Sequence, residues 1–385
     1  MSEPIKIIIP MAGYGSRMRP HTWSKPKPLI PLAGKRVLDH LLAMFNTLPD
    51  VEQARFVFIL SPNQGDLIQK YMARRYPHCK VDYVIQQEMR GQSDALWQAR
   101  AFLKGRMIMV FSDTLIESSL AFMANEEAEA VAWVKAVPDP RRFGVAEVSA
   151  GRWVTRLIEK PRDVDNNLAV VGFYYFKEGE KLLAAIAEQV RRNDVLKGEF
   201  YLTGAINILL EMGVKMRIEN VNHWLDAGTP DALLETNRFF LEHGRQSAVR
   251  ENDMEDVIIR PPVSIHPSAR ISVSTIGPHV SVGEGTIIEG SEIRVYFNGN
   301  LAWSGSDASI PGPGSIVLAG YSGDSDPQTI HYFDDVLVQR PMTDGVTVSA
   351  EQAWHNLRGA AGDPKVALTK DAAAAKYDGP TSEVA

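Results

Sequence analysis

The sequence predicts an α/β fold over residues 1–245, with a Rossmann-like, mixed and mainly parallel sheet that carries helices on both faces. Short apolar runs, β-branched in part, alternate with helix-like segments along residues 5–245. That alternation is typical of a parallel sheet covered by helices. A glycine-rich turn follows the first apolar run, at the position where ligands bind in such folds. The chain has 385 residues, of which 45% are apolar, so a large core is expected.

Each element follows from its local pattern. Strands are predicted at residues 5–10, 54–60, 80–85 and 106–111, where short apolar runs occur. Helices are predicted between them at 37–48, 65–75 and 93–104. Because the carboxyl ends of parallel strands share one edge, we expect the ligand site at that edge, where loop 13–17 lies.

Residues 263–293 carry a six-residue apolar repeat with small residues between its members. The repeat positions are Ile265, Ile271, Ile276, Val282 and Ile288, with one shortened step before Ile276. Such a period is typical of a parallel β-helix. The sequence therefore predicts a linker and a short left-handed β-helix of one to two coils over 246–293. An ordinary pair of strands with turns remains an alternative.

The C-terminal part differs again in character. Asn298-Gly299 between apolar alternations indicates a hairpin, so residues 294–341 are predicted to be an antiparallel β segment. It resembles the last strands of a laminin-G or concanavalin-like sandwich, a lectin-like fragment shorter than the roughly 100 residues of a complete sandwich. Residues 342–385 are predicted to be a weakly ordered tail.

Composition excludes several classes of function. The formal net charge is −6, which disfavours a nucleic-acid partner. The single cysteine, Cys79, excludes an internal disulfide framework or a cysteine-rich metal site and is expected to be a passive thiol. No apolar run approaches the length of a membrane span, and the N-terminus lacks a leader pattern, so we expect a soluble cytoplasmic protein without a membrane partner.

The turn in IIIPMAGYGSRMRP fits neither common phosphate-binding motif. The dinucleotide fingerprint needs a third glycine and a helix, but Ser16, Arg17 and Met18 follow Gly15, and prolines interrupt the next residues. A P-loop needs Gly-Lys-Ser/Thr, which is missing here. A glycine loop whose N–H groups wrap a polyphosphate remains, with Arg17 and Lys27 as cations.

The stretch MAGYGSRMRPHTWSKPKPLIPLAGK resembles the N-terminal signature of sugar-phosphate nucleotidylyltransferases. The family pattern is roughly Ala-Gly-Gly-x-Gly-Thr-Arg-Leu-x-Pro followed by Lys-Pro-Leu-x-Pro. Here Ser16 replaces the threonine, and the region of Tyr14 differs by one glycine. The resemblance spans about residues 5–245. It implies nucleotide binding by Ala12, Gly13, Gly15 and Ser16, and catalytic roles for Arg17 and Lys27.

Further motifs extend the resemblance. Tyr83-Val-Ile-Gln86 and Gly91-Gln-Ser-Asp94 resemble the base-reading segment, which implies that Gln86 and Gly91 face the nucleobase; Gln87 is the alternative to Gln86. Phe143-Gly144, Leu157-Ile-Glu159-Lys160 and Asn167-Leu-Ala-Val170 resemble the sugar-binding half. By that resemblance, Gly144 and Val170 line the sugar pocket, Glu159 accepts sugar hydroxyls and Lys160 binds the sugar phosphate.

The resemblance also implies a metal site. Phe111-Ser112-Asp113 and Trp224-Leu-Asp226-Ala-Gly-Thr resemble the two magnesium-binding motifs, so Asp113 and Asp226 are the expected Mg²⁺ ligands. Ser112 replaces the family's glycine, and Gly204 stands where the family often has aspartate.

The implied reaction is Mg²⁺-dependent transfer of a nucleotidyl group from an NTP to a sugar 1-phosphate, giving an NDP-sugar and pyrophosphate. The first expectation is dTTP or UTP with glucose 1-phosphate, and the next is mannose-1-phosphate guanylyltransferase. A non-catalytic nucleotide-sugar-binding or carbohydrate-binding protein is the alternative of another class. His266 and His279 are expected to be exposed or packed histidines, since neither has an identifiable partner in the sequence. A β-helix would also allow a homo-oligomer.

Overall fold

The computed structural model describes residues 3–19, 21–22, 25–244, 256–297, 300–308 and 316–317. The chain divides into two compact units. The first comprises Met1–Ile30 and Lys35–Ala232, and the second comprises Pro31–Gly34 and Leu233–Ala385. The expected end of the first domain, residue 245, lies outside the described residues and stays a prediction.

The first unit contains most of the regular structure. The strands from β1 to β13, all in the first unit except β2, are β1 (Lys6–Pro10), β2 (Pro31–Leu32), β3 (Lys35–Arg36), β4 (Arg55–Leu60), β5 (Lys80–Ile85), β6 (Met107–Val110), β7 (Thr114–Glu117), β8 (Ala130–Ala136), β9 (Gly144–Val148), β10 (Val154–Glu159), β11 (Leu168–Phe176), β12 (Met216–Asn220) and β13 (His223–Asp226). The α-helices are α1 (Val37–Ala43), α2 (Gly65–Arg75), α3 (Gln92–Gln98), α4 (Gly179–Arg192), α5 (Leu202–Glu211) and α6 (Pro230–Glu242), the last of which continues into the second unit.

Nine strands form the central sheet, which is mixed. The order is β10-β9-β11-β6-β1-β4-β5, and β8 pairs with both β11 and β12. The strands β6, β1, β4 and β5 run parallel to one another. The strand β11 runs antiparallel to β6, β8 and β9, and so joins the parallel half to the remaining strands. The predicted mixed α/β sheet is confirmed, but it is not mainly parallel. Besides the N-terminal strands, β12 pairs parallel with β8, whereas β10 with β9 and the three pairings of β11 are antiparallel.

The two faces of this sheet bury different sets of side chains because residues alternate along a strand. On one face, Ile8 of β1 and Val57 of β4 belong to a core with apolar residues of α3, α4 and α5. On the other face, Phe45, which follows α1, lies 5.9 Å from Phe56 of β4 and 5.8 Å from Phe173 of β11 between ring centroids. Helical segments therefore cover both faces.

The observed elements agree with the predicted ones and differ mainly at helix ends. The predicted helix at 37–48 is α1 followed by a 3-10 helix at Met44–Thr47, and the one at 93–104 is α3 followed by a 3-10 helix at Arg100–Phe102. Among the described helices, none combines the length and hydrophobicity that a membrane span requires.

The second unit contains short strands that pair at a constant offset. They are β14 (Val257–Ile259), β15 (Val263–Ile265), β16 (Arg270–Ser272), β17 (Ser274–Ile276), β18 (Val280–Val282), β19 (Ile287–Phe297), β20 (Asn300–Ala308) and β21 (Ile316–Val317). The parallel pairs β14·β17, β15·β18 and β16·β19 each join residues 17 positions apart, as in Val263↔Val280.

All five apolar repeat positions in this unit are buried. Ile265, Ile271, Ile276, Val282 and Ile288 are each at most 6% exposed and form one cluster with Val263 and Val280. The offset of 17 equals two six-residue steps and the shortened one, so the repeat and the pairing agree.

The C-terminal prediction is covered only in part. Strands β19 and β20 pair antiparallel on either side of Asn298-Gly299, with Phe297 opposite Asn300. Most of the predicted lectin-like fragment, including 330–341, and all of the tail 342–385 lie outside the described residues. Those assignments stay predictions.

Candidate active site

A cavity of about 690 Å³ lies within the first unit, beside the carboxyl ends of β1 and β6. Residues from both halves of the sheet line it. They include every residue that the sequence singled out for a site: Ala12, Gly13, Gly15, Ser16, Arg17, Lys27, Gln86, Gly91, Asp113, Gly144, Glu159, Lys160, Val170 and Asp226. Residues more than 200 positions apart in the sequence therefore share one cavity.

The glycine loop after β1 is held in a specific turn. Gly15 has a φ of +62°, and a Cβ there would lie 2.9 Å from Cγ2 of Thr22. The Thr22 hydroxyl donates a hydrogen bond of 2.8 Å to the Gly15 carbonyl. Only glycine accommodates both the backbone conformation and this close approach. The loop thus presents its backbone and the exposed side chain of Arg17 to the cavity.

Two aspartates meet where β7 pairs with β13. Asp226 ends β13 opposite Thr114, and Asp113 immediately precedes Thr114. The amide of Ala227 donates to the Asp113 carbonyl at 3.0 Å, and the amide of Gly228 donates to Oδ1 of Asp226 at 2.7 Å. A two-stranded ladder therefore brings together carboxylates that are 113 positions apart.

Lys27 sets the charge balance of this pair. Its Nζ lies 2.5 Å from Oδ2 of Asp113. Desolvation alone would raise the pKa of Asp113, but the charge and hydrogen bond of Lys27 hold it below its usual range. Desolvation and the neighbouring charge of Asp113 raise the pKa of Asp226. The charge of Arg17 also favours the ionised form of both carboxyl groups, so Lys27 and Arg17 together oppose desolvation and the repulsion between the two aspartates.

The residues expected to bind the sugar converge from three strands and one helix. A Cβ on Gly144 would lie 3.0 Å from Val170, 3.1 Å from Thr203 and 3.3 Å from Oε2 of Glu159. The Thr203 hydroxyl, on α5, donates to the same Glu159 oxygen at 3.3 Å. Burial raises the pKa of Glu159. Glycine at 144 keeps open the space in front of this carboxylate.

Lys160 follows Glu159 and is oriented by an aromatic ring. Its Nζ donates to the Tyr201 hydroxyl at 2.8 Å and lies 4.5 Å from the centroid of that ring. The same Nζ lies 3.8 Å from Oε1 of Glu159. The ammonium is therefore fixed at the wall of the cavity while 37% of the side chain stays exposed.

The end of β5 contributes the amide of Gln86. This side chain is 3% exposed and lines the cavity. Gln87, the alternative from the sequence, is exposed and is not among the described residues that line the cavity. Gly91, at the start of α3, has a φ of +107°, and a Cβ there would lie 2.6 Å from the Phe200 carbonyl oxygen.

The position of Asp113 depends on how Phe111 is seated. The amide of Phe111 donates to the Gly172 carbonyl at 3.0 Å. Gly172, in β11, has a φ of +81°, and a Cβ there would lie 2.2 Å from the Phe111 ring. The register between β11 and β8 shifts between Val170 and Tyr174, around this glycine. A local irregularity of β11 thus seats the residue that leads into Asp113.

Comparison with known proteins identifies the family. A sequence profile of the family described as Nucleotidyl transferase matches residues 6–243. The chain belongs to the nucleotidyl transferase family.

Relatives and solved structures of this family agree with that assignment. The "Bifunctional protein GlmU" of Methanococcus maripaludis is 30% identical over 236 residues, which cover 61% of this chain and 54% of the relative, so the chain spans about half the length of such relatives. The "Low-salt glycan biosynthesis nucleotidyltransferase Agl11" of Haloferax volcanii is 30% identical, covering 75% of this chain and 86% of the relative. A structure assigned as a glucose-1-phosphate thymidylyltransferase of Bacillus anthracis, in complex with sucrose, matches with a TM-score of 0.53 and 25% identity over 64% of this chain and 97% of that one.

Sequence reasoning predicted no role for three residues of the candidate site. Tyr201 and Thr203 fix Lys160 and Glu159, and Asp94 binds the amide of Gln86 at 2.8 Å. No role was predicted for Tyr201, because its partner Lys160 lies 41 positions away. Asp94 was within the quoted base-reading motif, and its spacing of eight from Gln86 was the available signal.

The histidines of the second unit have partners that the sequence did not reveal. Nδ1 of His266 lies 2.7 Å from the Ser268 hydroxyl, and Nε2 of His279 lies 3.0 Å from Oε1 of Glu242. Both side chains are half-buried, as expected of packed histidines, and the sequence did not reveal Glu242 because that contact spans 37 positions. Cys79 is half-buried, and burial raises the pKa of its thiol, as expected for a passive cysteine.

Proposed function

We propose that this protein transfers a nucleotidyl group from an NTP to a sugar 1-phosphate, releasing pyrophosphate and forming an NDP-sugar. One observation carries the proposal: cations, paired carboxylates and a glycine loop line the same cavity as the Glu159–Lys160 pair. Two anionic substrates need such a mixture, because charge must be neutralised while the reacting atoms are held together.

The carboxylates fit a divalent metal. Asp113 and Asp226 are hard oxygen donors, and desolvation together with the charge of Asp113 raises the pKa of Asp226. Within the described ranges no cluster of three or more histidine, cysteine or acidic residues forms a metal site. Mg²⁺ is commonly held by one or two carboxylates plus substrate phosphates, so these two residues would hold it. When bound, the ion supplies neutralisation of charge on the phosphate oxygens.

The nucleotide half of the site positions the polyphosphate. The N–H groups of Gly13, Gly15 and Ser16 would bind the phosphates, since glycines permit close backbone approach. Arg17 forms no hydrogen bond or ion pair with any described residue, so its guanidinium is available to the leaving pyrophosphate. Lys27, already held at Asp113, would stabilise negative charge at the α-phosphate.

The sugar half presents the nucleophile. Glu159 would accept hydrogen bonds from sugar hydroxyls in the space beside Gly144 and Val170, and Lys160 would bind the sugar phosphate. A phosphate oxygen then attacks the α-phosphorus in line; the new O–P bond forms as the bond to the β-phosphate oxygen breaks. The pyrophosphate leaves with the electron pair, and no covalent enzyme intermediate is required.

For the substrates, we propose dTTP or UTP with glucose 1-phosphate. A relative named glucose-1-phosphate thymidylyltransferase, from Streptomyces griseus, is 27% identical and covers 75% of this chain and 86% of the relative. Relatives named as bifunctional GlmU proteins are about equally similar, so other sugar 1-phosphates belong in the same test.

For the second unit, we propose a short left-handed parallel β-helix within 246–293. The constant offset of 17 residues and the buried repeat positions support it, since stacked coils pair residues one turn apart. A role in self-association is part of the proposal, because the end coil of a parallel β-helix can stack against a second chain.

The test is pyrophosphate release in Mg²⁺ from UTP, dTTP, GTP, CTP and ATP, each with glucose, N-acetylglucosamine and mannose 1-phosphates. Release that needs one NTP and one sugar phosphate together supports the proposal and names both substrates. Binding of nucleotide without release from any pair would instead support the non-catalytic alternative. Chelation of Mg²⁺ should abolish release, and readdition should restore it.

A further inference from the structure

The amide of Gln86 is held in one orientation by two acceptors. Its Nε2 donates to Oδ2 of Asp94 at 2.8 Å and to the Gly91 carbonyl at 3.3 Å. Both amide hydrogens are therefore committed to the protein. The reverse orientation would put the amide oxygen against a carboxylate and a carbonyl, three acceptors without a hydrogen between them.

Asp94 is itself fixed. It lies on α3, is 5% exposed, and its second oxygen accepts from Nη2 of Arg90 at 3.1 Å. The Gly91 turn is also held, since the Phe200 amide donates to the Arg90 carbonyl at 2.9 Å and the Ser93 amide donates to the Phe200 carbonyl at 3.0 Å. The acceptors that orient Gln86 are thus built into the cavity wall before any ligand binds.

What remains for a ligand is the amide oxygen. Among the described residues, none donates a hydrogen bond to Oε1 of Gln86, and this buried residue lines the cavity. With both hydrogens engaged, Gln86 offers a bound base an acceptor and no donor.

We infer that Asp94 is a positioning residue that makes Gln86 a hydrogen-bond acceptor, so that the cavity selects a nucleobase with a ring N–H. Uracil, thymine and guanine carry such a group, whereas the corresponding ring nitrogens of cytosine and adenine are acceptors. An acceptor facing an acceptor leaves both unpaired, which is the strongest basis for rejecting an analogue. This inference rests on the proposed function, since it takes the ligand of Gln86 to be the base of an NTP.

The experiment compares wild type, Asp94→Asn and Asp82→Asn. Asp82 gives a matched control, because it is a partly buried aspartate in β5 that pairs with Arg55 at 2.5 Å and does not line the cavity. Calorimetry measures binding of UTP against CTP, of dTTP against dCTP and of GTP against ATP, and kcat/KM is measured for the same nucleotides.

One of these nucleotide pairs will bind the wild type more tightly than the others. Within that pair, the wild type should prefer the nucleotide whose base carries the ring N–H, by on the order of 10²-fold. An asparagine at 94 offers Gln86 a donor, so that Gln86 is free to turn; Asp94→Asn should lower the preference by about tenfold or more. Asp82→Asn should keep the wild-type preference. Gln86→Met, which removes the acceptor at similar length, should also lower the preference and serves if Asp94→Asn does not fold.

The outcomes separate the two proposals. A wild type that prefers CTP or ATP overturns the inference, as does an unchanged preference in a folded Asp94→Asn or Gln86→Met protein. An equal loss of affinity for both members of the pair would reveal a merely structural role and also overturns it. A wild type that binds none of the six nucleotides refutes the proposed function itself.

Discussion

Replacing Gly172 with alanine tests how β11 positions the Asp113 side of the cavity. A Cβ at this position would lie 2.2 Å from the Phe111 ring, so the ring must retreat by about 1.2 Å to reach an ordinary contact of 3.4 Å. The φ of +81° adds strain of about 1–2 kcal/mol for a residue with a Cβ, and forced repacking adds about 1–3 kcal/mol. We expect Gly172→Ala to lose about 2–5 kcal/mol of unfolding free energy.

The matched control is Gly213→Ala. Gly213 has a φ of +89°, but no other described atom lies within 4 Å of its Cβ position. It should therefore lose only the strain of about 1–2 kcal/mol. Urea unfolding measures the unfolding free energy of both variants and of the wild type, compared with the same dependence on urea concentration. The extra loss in Gly172→Ala over Gly213→Ala is the contribution of the steric clash. Equal losses in the two variants would refute the steric argument.

Activity supplies a second readout for the same pair. Phe111 lies two residues before Asp113, and a displacement of about 1 Å near a reacting centre costs about 10²-fold in rate. Gly172→Ala should therefore lower kcat by about this factor under conditions in which it is folded, whereas Gly213→Ala should not. A wild-type kcat in Gly172→Ala would show that Phe111 does not set the position of Asp113.

Three further predictions concern the buried carboxyl groups of the first unit. Asp113→Asn should lower kcat about 10²–10³-fold without loss of fold, measured by pyrophosphate release, whereas Asp82→Asn should leave it unchanged. Burial raises the pKa of Glu159, so the folded state binds its proton more tightly than the unfolded state does, and unfolding free energy should fall as pH rises from the ordinary glutamate range through the raised pKa. Glu159→Gln should remove that slope in urea titrations at several pH values; an unchanged slope would assign it to other groups. The buried Asp39 carboxylate accepts hydrogen bonds from two tyrosine hydroxyls at 2.6–2.8 Å, so Asp39→Ala should cost about 3 kcal/mol, against less than about 1 kcal/mol for the exposed Asp66→Ala in thermal or urea unfolding.

Much of the fold was predictable because its signals are local. The helix at Gly65–Arg75 and the strand at Lys80–Ile85 have the predicted limits. The repeat positions from Ile265 to Ile288 are buried because a six-residue period is a property of adjacent residues. Helix ends were less predictable: α1 gives way to a 3-10 helix after Ala43, and no proline or glycine in the sequence marks that change.

The cavity residues were predictable through motif resemblance, but their interactions were not. Lys27 contacts Asp113 across 86 positions, and Lys160 contacts Tyr201 across 41. Such contacts depend on strand order, above all on the antiparallel insertion of β11 beside β6, which local propensity does not encode. Likewise, the pKa values of Asp113 and Asp226 move in opposite directions because of burial and proximity that only the folded chain creates.

The continuity of β11 also constrains how such a protein changes during evolution. Val170 faces the Gly144 side of the cavity, and two residues later Gly172 seats Phe111 on the other side. An inserted or deleted residue between them would turn the following side chains to the opposite face of the sheet. A new ligand preference on the Val170 side of the cavity can therefore arise by point substitution, but not by an insertion or deletion in this strand.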